Sequence, residues 1–597
     1  MKNSIGVTAL KTPCGESAAR WVRRGRKEHS HLAEVSYRYV EISGTELQLI
    51  GGCLECSRTR REKPHAFGFL TGQSIETENS VLFFSSFVPF IAIFPLLWAG
   101  GYTVVLRAHG LKKSPRSRRR LTMTRIACGF SLLCAATAIA LPAQTFTNLD
   151  NFNFANGELP YAAMIQATNG KLYGTTIGGG YSDQGVIFTL TTSGELSRFY
   201  SFCEGCSDEG FDLYGGLIQA TNGDFYGTTY FGTSGGGTVF KITPAGTLTT
   251  LYSFCTQSAC SDGEYPIGGL VRTSNGDFYG TTSTGGGSGG GTVFKITPAG
   301  ALSTLYNFCS LSACADGESP QASLIQAANG DLYGTTTAGG SNNGGTVFKM
   351  TLSGTLTTLH SFACASAGCE GGSNPSYASV AEGVNGDFYG TTSAGGTEGD
   401  GTVFKMTPTG VLTTLYNFCS LSACADGNGP QGGLTLATDG NFYGTTEFNN
   451  IGGGGFFGTI FKITPGGTLT TLHSFAGADG ADPIAAPVQD TNGILYGTTA
   501  AGGSPVGLGS VWSLSVGLGP FIKTQTASGE IGAAVNILGT DLTGATSVTF
   551  NRTSAEFTVG ASGTYISTTV PTGATTGTVE VVTPTGTLSS NVPFRIP

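Results

Sequence analysis

Ten of the 15 cysteines fall into five close pairs: Cys203/Cys206, Cys255/Cys260, Cys309/Cys314, Cys364/Cys369 and Cys419/Cys424. Thiols at this spacing either oxidise to a local disulfide or supply half of a tetrahedral zinc site. Zinc needs a second pair or a histidine beside the first, and equivalent loops of successive repeats stand well apart. Local disulfides are therefore the expectation, each closing a loop of about five residues and contributing about 2 kcal/mol. No metal or cofactor is expected.

Other candidate chemistry is sparse. Beyond residue 143 the only histidines are His360 and His473, and both stand where sister segments carry Tyr200, Tyr252, Tyr306 and Tyr416. A histidine that replaces a repeated tyrosine reads as a packing residue, which removes Ser-His-Asp and histidine–metal mechanisms. The glycine loop Gly285–Gly291 lacks the Gly-Lys-Ser/Thr of a phosphate-binding loop. Asp262, Asp316, Asp426 and Asp479 each precede glycine and read as turn formers, since one carboxylate per loop is far short of a calcium site. Lys241, Lys295, Lys349, Lys405 and Lys462 recur at one strand position. They could form a belt for an anionic ligand; the favoured reading is solvated outer lysines paired with the acid of the turn in the same unit, such as Asp224. No catalytic residue is identified.

The elements that would position these residues are repeats. Tyr-Gly-Thr-Thr recurs with its tyrosine at 173, 226, 279, 333, 389, 443 and 496. Each unit holds four strand signals, typified by Gly216–Thr221, Asp224–Thr229, Gly237–Thr243 and Leu248–Phe254, separated by Asn-Gly and Thr-Pro-x-Gly turns. Four antiparallel strands per unit of about 50 residues is the blade of a β-propeller, and seven copies suit a closed ring over 145–517. The segment Thr145–Phe152 stands in for the strand missing after Gly509–Val516, so the two chain segments are expected to pair and close the ring. An open β-solenoid is the alternative.

The N-terminal part is a different kind of sequence. Residues 1–122 carry a net charge of +10 and residues 123–597 one of −18. The uncharged run 81–106 is long enough to span a bilayer, and residues 123–143 read as a signal peptide or a second membrane segment. Either residues 1–122 are a membrane-anchored extension or translation starts at Met123, the second being favoured. Both export the rest of the chain. The strongly acidic exported part makes nucleic acid an improbable partner.

Units reading GLIQATNGDFYGTT…GGGTVFKITPAGTLTTLYSF resemble the GloVer-type tandem repeats of bacterial exported proteins and, more distantly, kelch-type propeller blades. The stretch AAVNILGTDLTGATSVTFNRTSAEFTV…VPTGATTGTVEVVTPTG resembles the IPT/TIG immunoglobulin-like domain over 519–597, with Arg552 in place of the usual turn glycine. Strands are expected there at 534–538, 547–550, 555–559, 565–570, 577–582 and 591–596. Together the resemblances imply an all-β, surface or secreted repeat protein with no family catalytic residues. The expected role is a non-enzymatic scaffold for a protein or glycan at the cell surface. The alternative is a secreted carbohydrate lyase or hydrolase using a propeller-face carboxylate. An active site should depart from the repeat, and the departures at 363–377 and 448–457 read as Gly- and Asn-rich loops without a catalytic set.

Overall fold

The computed structural model describes residues 144–203, 209–362, 369, 371–449 and 457–597, with four short strands nearer the N-terminus. The chain divides into two units, Met1–Ile126 and Ala127–Pro597. In the first, Gln73–Thr77 pairs antiparallel with Ser80–Phe84, so the apolar run begins in a strand. The rest of that run and segment 123–143 lie outside the described residues. Among the described residues no helix is long and apolar enough to cross a membrane.

The second unit is all-β. Residues 145–515 form seven four-stranded antiparallel sheets, one for each Tyr-Gly-Thr-Thr. In the second repeat the strands are Ile218–Gln219, Phe225–Thr229, Thr238–Ile242 and Leu248–Ser253, in that spatial order. The two middle strands are buried almost throughout and the last is half-exposed, which explains its alternation of threonine with leucine and tyrosine.

Each residue of the repeated tetrapeptide has its own task. Tyr226 stacks on Phe278 of the next sheet, with ring centroids 4.2 Å apart. Gly227 lies opposite Phe240 on the neighbouring strand, and a Cβ there would sit 2.6 Å from the tip of that ring. The first threonine bonds outward to the next sheet, as in Thr228 Oγ1 to the Gly268 carbonyl (3.2 Å) and Thr391 Oγ1 to the Gly432 carbonyl (2.8 Å). The second bonds within its own sheet, accepting from the Thr238 amide through Thr229 Oγ1 (3.1 Å). The motif is thus the joint between sheets.

The same joints tie the last sheet to the first. Thr145–Asn151 pairs antiparallel with Ser510–Ser515, as the two end segments led us to expect. A buried cluster combines Phe152, Leu172 and Phe188 with Tyr496 and Val511. The Thr491 amide donates to Gln166 Oε1 (3.2 Å), repeating the bond from the Thr168 amide to Gln219 Oε1 (2.9 Å). One joint breaks the pattern: Thr498 Oγ1 is buried without a hydrogen-bond partner among the described residues.

Residues 522–589 form two further four-stranded sheets around a core that includes Ile537, Val548, Phe550, Ile566, Val579 and Phe594. The final strand differs from expectation. Gly586–Ser589 pairs with Val579–Thr583 through a tight turn, while 591–596 makes only isolated bridges. The Thr583 hydroxyl donates to the Gly586 carbonyl and stabilises that turn (3.0 Å), and Pro593 cannot donate to a ladder. Asn551 and Arg552 both adopt positive φ (43° and 71°), so arginine holds a conformation that suits glycine. Arg552→Gly is expected to stabilise this module by on the order of 1 kcal/mol, measured by urea denaturation.

This module seats on the hairpin-turn side of the repeats. Asn536 Nδ2 donates to the Thr221 carbonyl (3.1 Å), Gln525 Nε2 to Gln219 Oε1 (2.8 Å) and Ser528 Oγ to Gln326 Oε1 (3.1 Å). The Lys523 ammonium donates to the Gln489 carbonyl (3.3 Å). Burial pushes that ammonium down to about 8, against the pull of Asp490, a carboxylate that burial raises in turn. A base with a depressed folded pKa binds fewer protons when folded, so stability rises with pH between about 8 and the unfolded value near 10.5. The melting temperature is therefore expected to rise from pH 8 to pH 9.5 (about one unit short of that unfolded value), and Lys523→Met to flatten that rise.

Candidate binding site at the shared cavity

The paired cysteines are oxidised. Disulfides join Cys255 to Cys260, Cys309 to Cys314 and Cys419 to Cys424. Cys203 and Cys369 are also disulfide-bonded, while Cys206 and Cys364 lie outside the described residues. Two groupings of cysteine with a carboxylate, Cys255/Cys260/Glu264 and Asp400/Cys419/Cys424, have ligand-like spacing. Their sulfurs are already spent on each other.

The Asp-Gly aspartates do more than form turns. Asp262, Asp316 and Asp426 are buried and accept the hydroxyls of Tyr252 (2.9 Å), Tyr306 (2.8 Å) and Tyr416 (2.8 Å). Asp316 also accepts the Ser310 and Leu311 amides of the disulfide loop. Each carboxylate therefore pins a strand tyrosine to the loop above it. In the loop after the sixth sheet, which has no cysteine, His473 Nε2 makes the equivalent bond to Asp479 Oδ2 (2.9 Å). Burial lowers the pKa of His473 although Asp479 opposes it, and burial alone lowers that of His360. Both imidazoles sit in the tyrosine slot, opposite Ile460 and Val347.

The lysines stay on the strand facing the tyrosines, as in Lys241 opposite Tyr226. Lys295, Lys349 and Lys405 reach Asp277, Asp331 and Asp387 at 3.5, 3.6 and 3.7 Å. Lys462 faces Tyr443 in the same register. None of the five lines the cavity.

That cavity, of about 270 Å³, is the feature to which all seven repeats contribute. Its lining runs through Ala162, Gly215, Gly268, Ser323, Ser379, Gly433 and Ala485, small residues at the start of each short first strand. Each repeat enters this strand through one residue at positive φ: Leu159, Asp212, Tyr265, Ser319, Asn374, Gly429 and Asp482, all between 55° and 61°. Six are not glycine, so the entry to the cavity is a ring of strained backbone. Such a turn aims the following side chains at the opening.

Here the repeats stop being alike. Tyr161, Tyr214 and Tyr377 reach the cavity from the first, second and fifth repeats. Tyr161 lies edge-on to Tyr214 at 5.7 Å and to Tyr377 at 6.3 Å. Tyr214 continues to Tyr230 at 5.1 Å, which stacks on Tyr265 at 4.7 Å. Burial raises the pKa of each, reinforced by nearby acids and tyrosines, so all five are neutral at pH 7. Many core tyrosines have their hydroxyls held by Asn or Asp, as Tyr333 is by Asn329 (2.8 Å). Those of Tyr161, Tyr214 and Tyr377 make no hydrogen bond among the described residues.

Two carboxylates complete the set. Glu447 accepts Gln431 Nε2 (2.5 Å); burial raises its pKa, and Asp482 adds to the rise although Gln431 opposes it. Burial raises Asp482 as well. Both act electrostatically on Tyr161. The C-terminal module contacts the other end of the same short strands, at Gln219 and Gln326, leaving this tyrosine-lined end uncovered by it.

Of this site only Tyr377 falls within a segment that the sequence marked as departing from the repeat. A usable signal exists: the residue after Tyr-Gly-Thr-Thr is Ile177, Tyr230, Ser283, Thr337, Ser393, Glu447 and Ala500 in turn. A position that varies this widely beside an invariant motif marks a place released from packing.

Residues 136–315, 257–455 and 310–512 match the Gloeobacter/Verrucomicrobia repeat. No curated protein matches the chain. Among solved structures, a fungal alcohol oxidase of the AA5 family in complex with copper is 13% identical, covering 76% of this chain and 98% of its own, at a TM-score of 0.43. A periplasmic gluconolactonase from Pseudomonas aeruginosa is 14% identical, covering 58% and 99%, at a TM-score of 0.36. Repeated four-stranded sheets and three overlapping matches along 136–512 place the chain in the Gloeobacter/Verrucomicrobia repeat family.

Proposed function

We propose that residues 145–517 are a seven-bladed β-propeller, that 519–597 are an IPT/TIG-type immunoglobulin-like domain, and that the exported protein is a non-enzymatic cell-surface scaffold that binds a glycan at the propeller mouth. The β-propeller reading is supported by the pairing of Thr145–Asn151 with Ser510–Ser515 and by the cavity common to all repeats. The disulfides fit an oxidising, extracellular or periplasmic environment.

One observation carries the binding role: the side chains that break the sevenfold pattern converge on one opening. Tyrosine rings give flat apolar platforms with a polar tip, and Gln321 and Gln431 stand among or beside them. A concave aromatic site with a few placed polar groups is what a polar ring-shaped ligand requires. A second reading, a glycan-cleaving enzyme, is favoured by the raised pKa of Glu447 and Asp482, since burial that raises a carboxyl's pKa suits it to the general-acid role. A glycan-array screen of the full chain, with product analysis, separates them. Retention of intact glycan supports the scaffold, and released product overturns it in favour of the enzyme.

A further inference from the structure

The charges at the mouth specify more than a sugar. Glu447 and Asp482 are partly withdrawn from water, and neither forms an ion pair among the described residues. Four cations of the repeats are engaged elsewhere: Lys295, Lys349 and Lys405 with turn aspartates, and Arg198 over the Tyr181 ring at 3.9 Å. Gln431, bonded to Glu447, adjoins the lining residue Gly432, and Asp482 stands two residues before the lining Ile484, so both acids border the cavity that Tyr161, Tyr214 and Tyr377 line, and tyrosine faces attract cations.

Resting on the glycan reading above, we propose that the ligand is a glycan with free amino groups, a chain of 2-amino-2-deoxy sugars, whose ammonium is held by Glu447 and Asp482. The tyrosines take the C–H faces of the sugar ring, and the unengaged hydroxyls of Tyr161, Tyr214 and Tyr377 meet its hydroxyl groups. A neutral sugar leaves both carboxylates partly desolvated without a counter-charge, which costs binding energy. A uronic-acid chain adds like charge to the same opening and is rejected. An ammonium satisfies both acids at once through charge-assisted hydrogen bonds, which are about twice as strong as neutral ones.

The test is calorimetric titration of the full chain with three hexasaccharides: β-linked glucosamine, its fully N-acetylated form and a neutral glucose chain, at a pH where the amine is charged. Binding of the free-amine hexamer at least tenfold tighter than the N-acetylated one is expected. The preference should vanish in Glu447→Gln/Asp482→Asn. Equal binding of the free-amine and N-acetylated chains overturns the ammonium assignment and leaves the glycan reading standing. Binding of none of the three overturns both. Because the exported part is acidic overall, a preference that survives in a double variant with native melting behaviour traces to diffuse surface charge, and it too overturns the assignment. The comparison among ligands on the unaltered protein does not depend on how the variant folds.

Discussion

Deleting Thr145–Asn151 from the full chain is expected to abolish the single cooperative melting transition of the repeat region. The segment supplies the fourth strand of the last sheet, pairing along Ser510–Ser515. Phe146 stacks flat on His473 at 3.6 Å and meets Phe475 edge-on at 5.7 Å. Without it the last sheet loses its fourth strand, Trp512 loses cover, and a bare strand edge is presented to other molecules. The point variant Phe146→Ala isolates the side-chain share; truncation of a packed phenylalanine costs about 3–5 kcal/mol when fully buried, and Phe146 is only partly so, which sets the lower end as the expectation. A synthetic peptide of the missing strand should restore the transition by adding back to the vacant edge. If the deleted protein melts as the native one does, the strand pairing does not hold the repeats together.

Gly444→Ala should destabilise the sixth sheet through a steric clash alone. The added Cβ would lie 2.6 Å from the Phe461 ring tip and 2.9 Å from a Leu434 methyl. Both belong to the same buried cluster, and overpacking such a site costs typically 1–3 kcal/mol. The backbone at Gly444 is not at positive φ, so the cost is purely steric and should be recoverable: Phe461→Leu in the same chain clears the ring and returns part of the loss. Gly519→Ala is the control, because nothing lies within 4 Å of its added methyl, and a change within about 0.5 kcal/mol is expected for such a site. Equal destabilisation at both positions would refute the ring-over-glycine account.

These results bear on what a single sequence discloses. The Asn-Gly hairpins express rules that act over two to ten residues, the repeat spacing and the complementary end segments are legible as self-similarity along the chain, and the sheets followed from them. The tetrapeptide glycine and threonines were visible as a pattern, but their tasks were not, because the Phe240 ring over Gly227 and the Gly268 carbonyl beyond Thr228 belong to other strands and sheets. Asp316 read as a turn former because its neighbour is glycine; its hydrogen bond to Tyr306 spans ten residues and depends on how the disulfide loop folds back. The candidate site was hidden for a related reason. Tyr161, Tyr214 and Tyr377 are far apart in sequence and meet only because equivalent positions of all repeats face one opening. Attention to what the repeats share passes over what they do not. Histidine was the reverse case: His473 in a tyrosine slot was legible as structural, and its bond to Asp479 repeats the tyrosine's.

The proposed glycan site gathers unlike side chains from separate repeats at the end that the C-terminal module leaves uncovered. A crystal structure of the full chain soaked with the glucosamine hexamer tests it most directly. The account predicts a sugar ring against Tyr161, Tyr214 and Tyr377 with its amino group at Glu447 and Asp482. Sugar bound only on the outer strands, or a last sheet that lacks Thr145–Asn151, would contradict it.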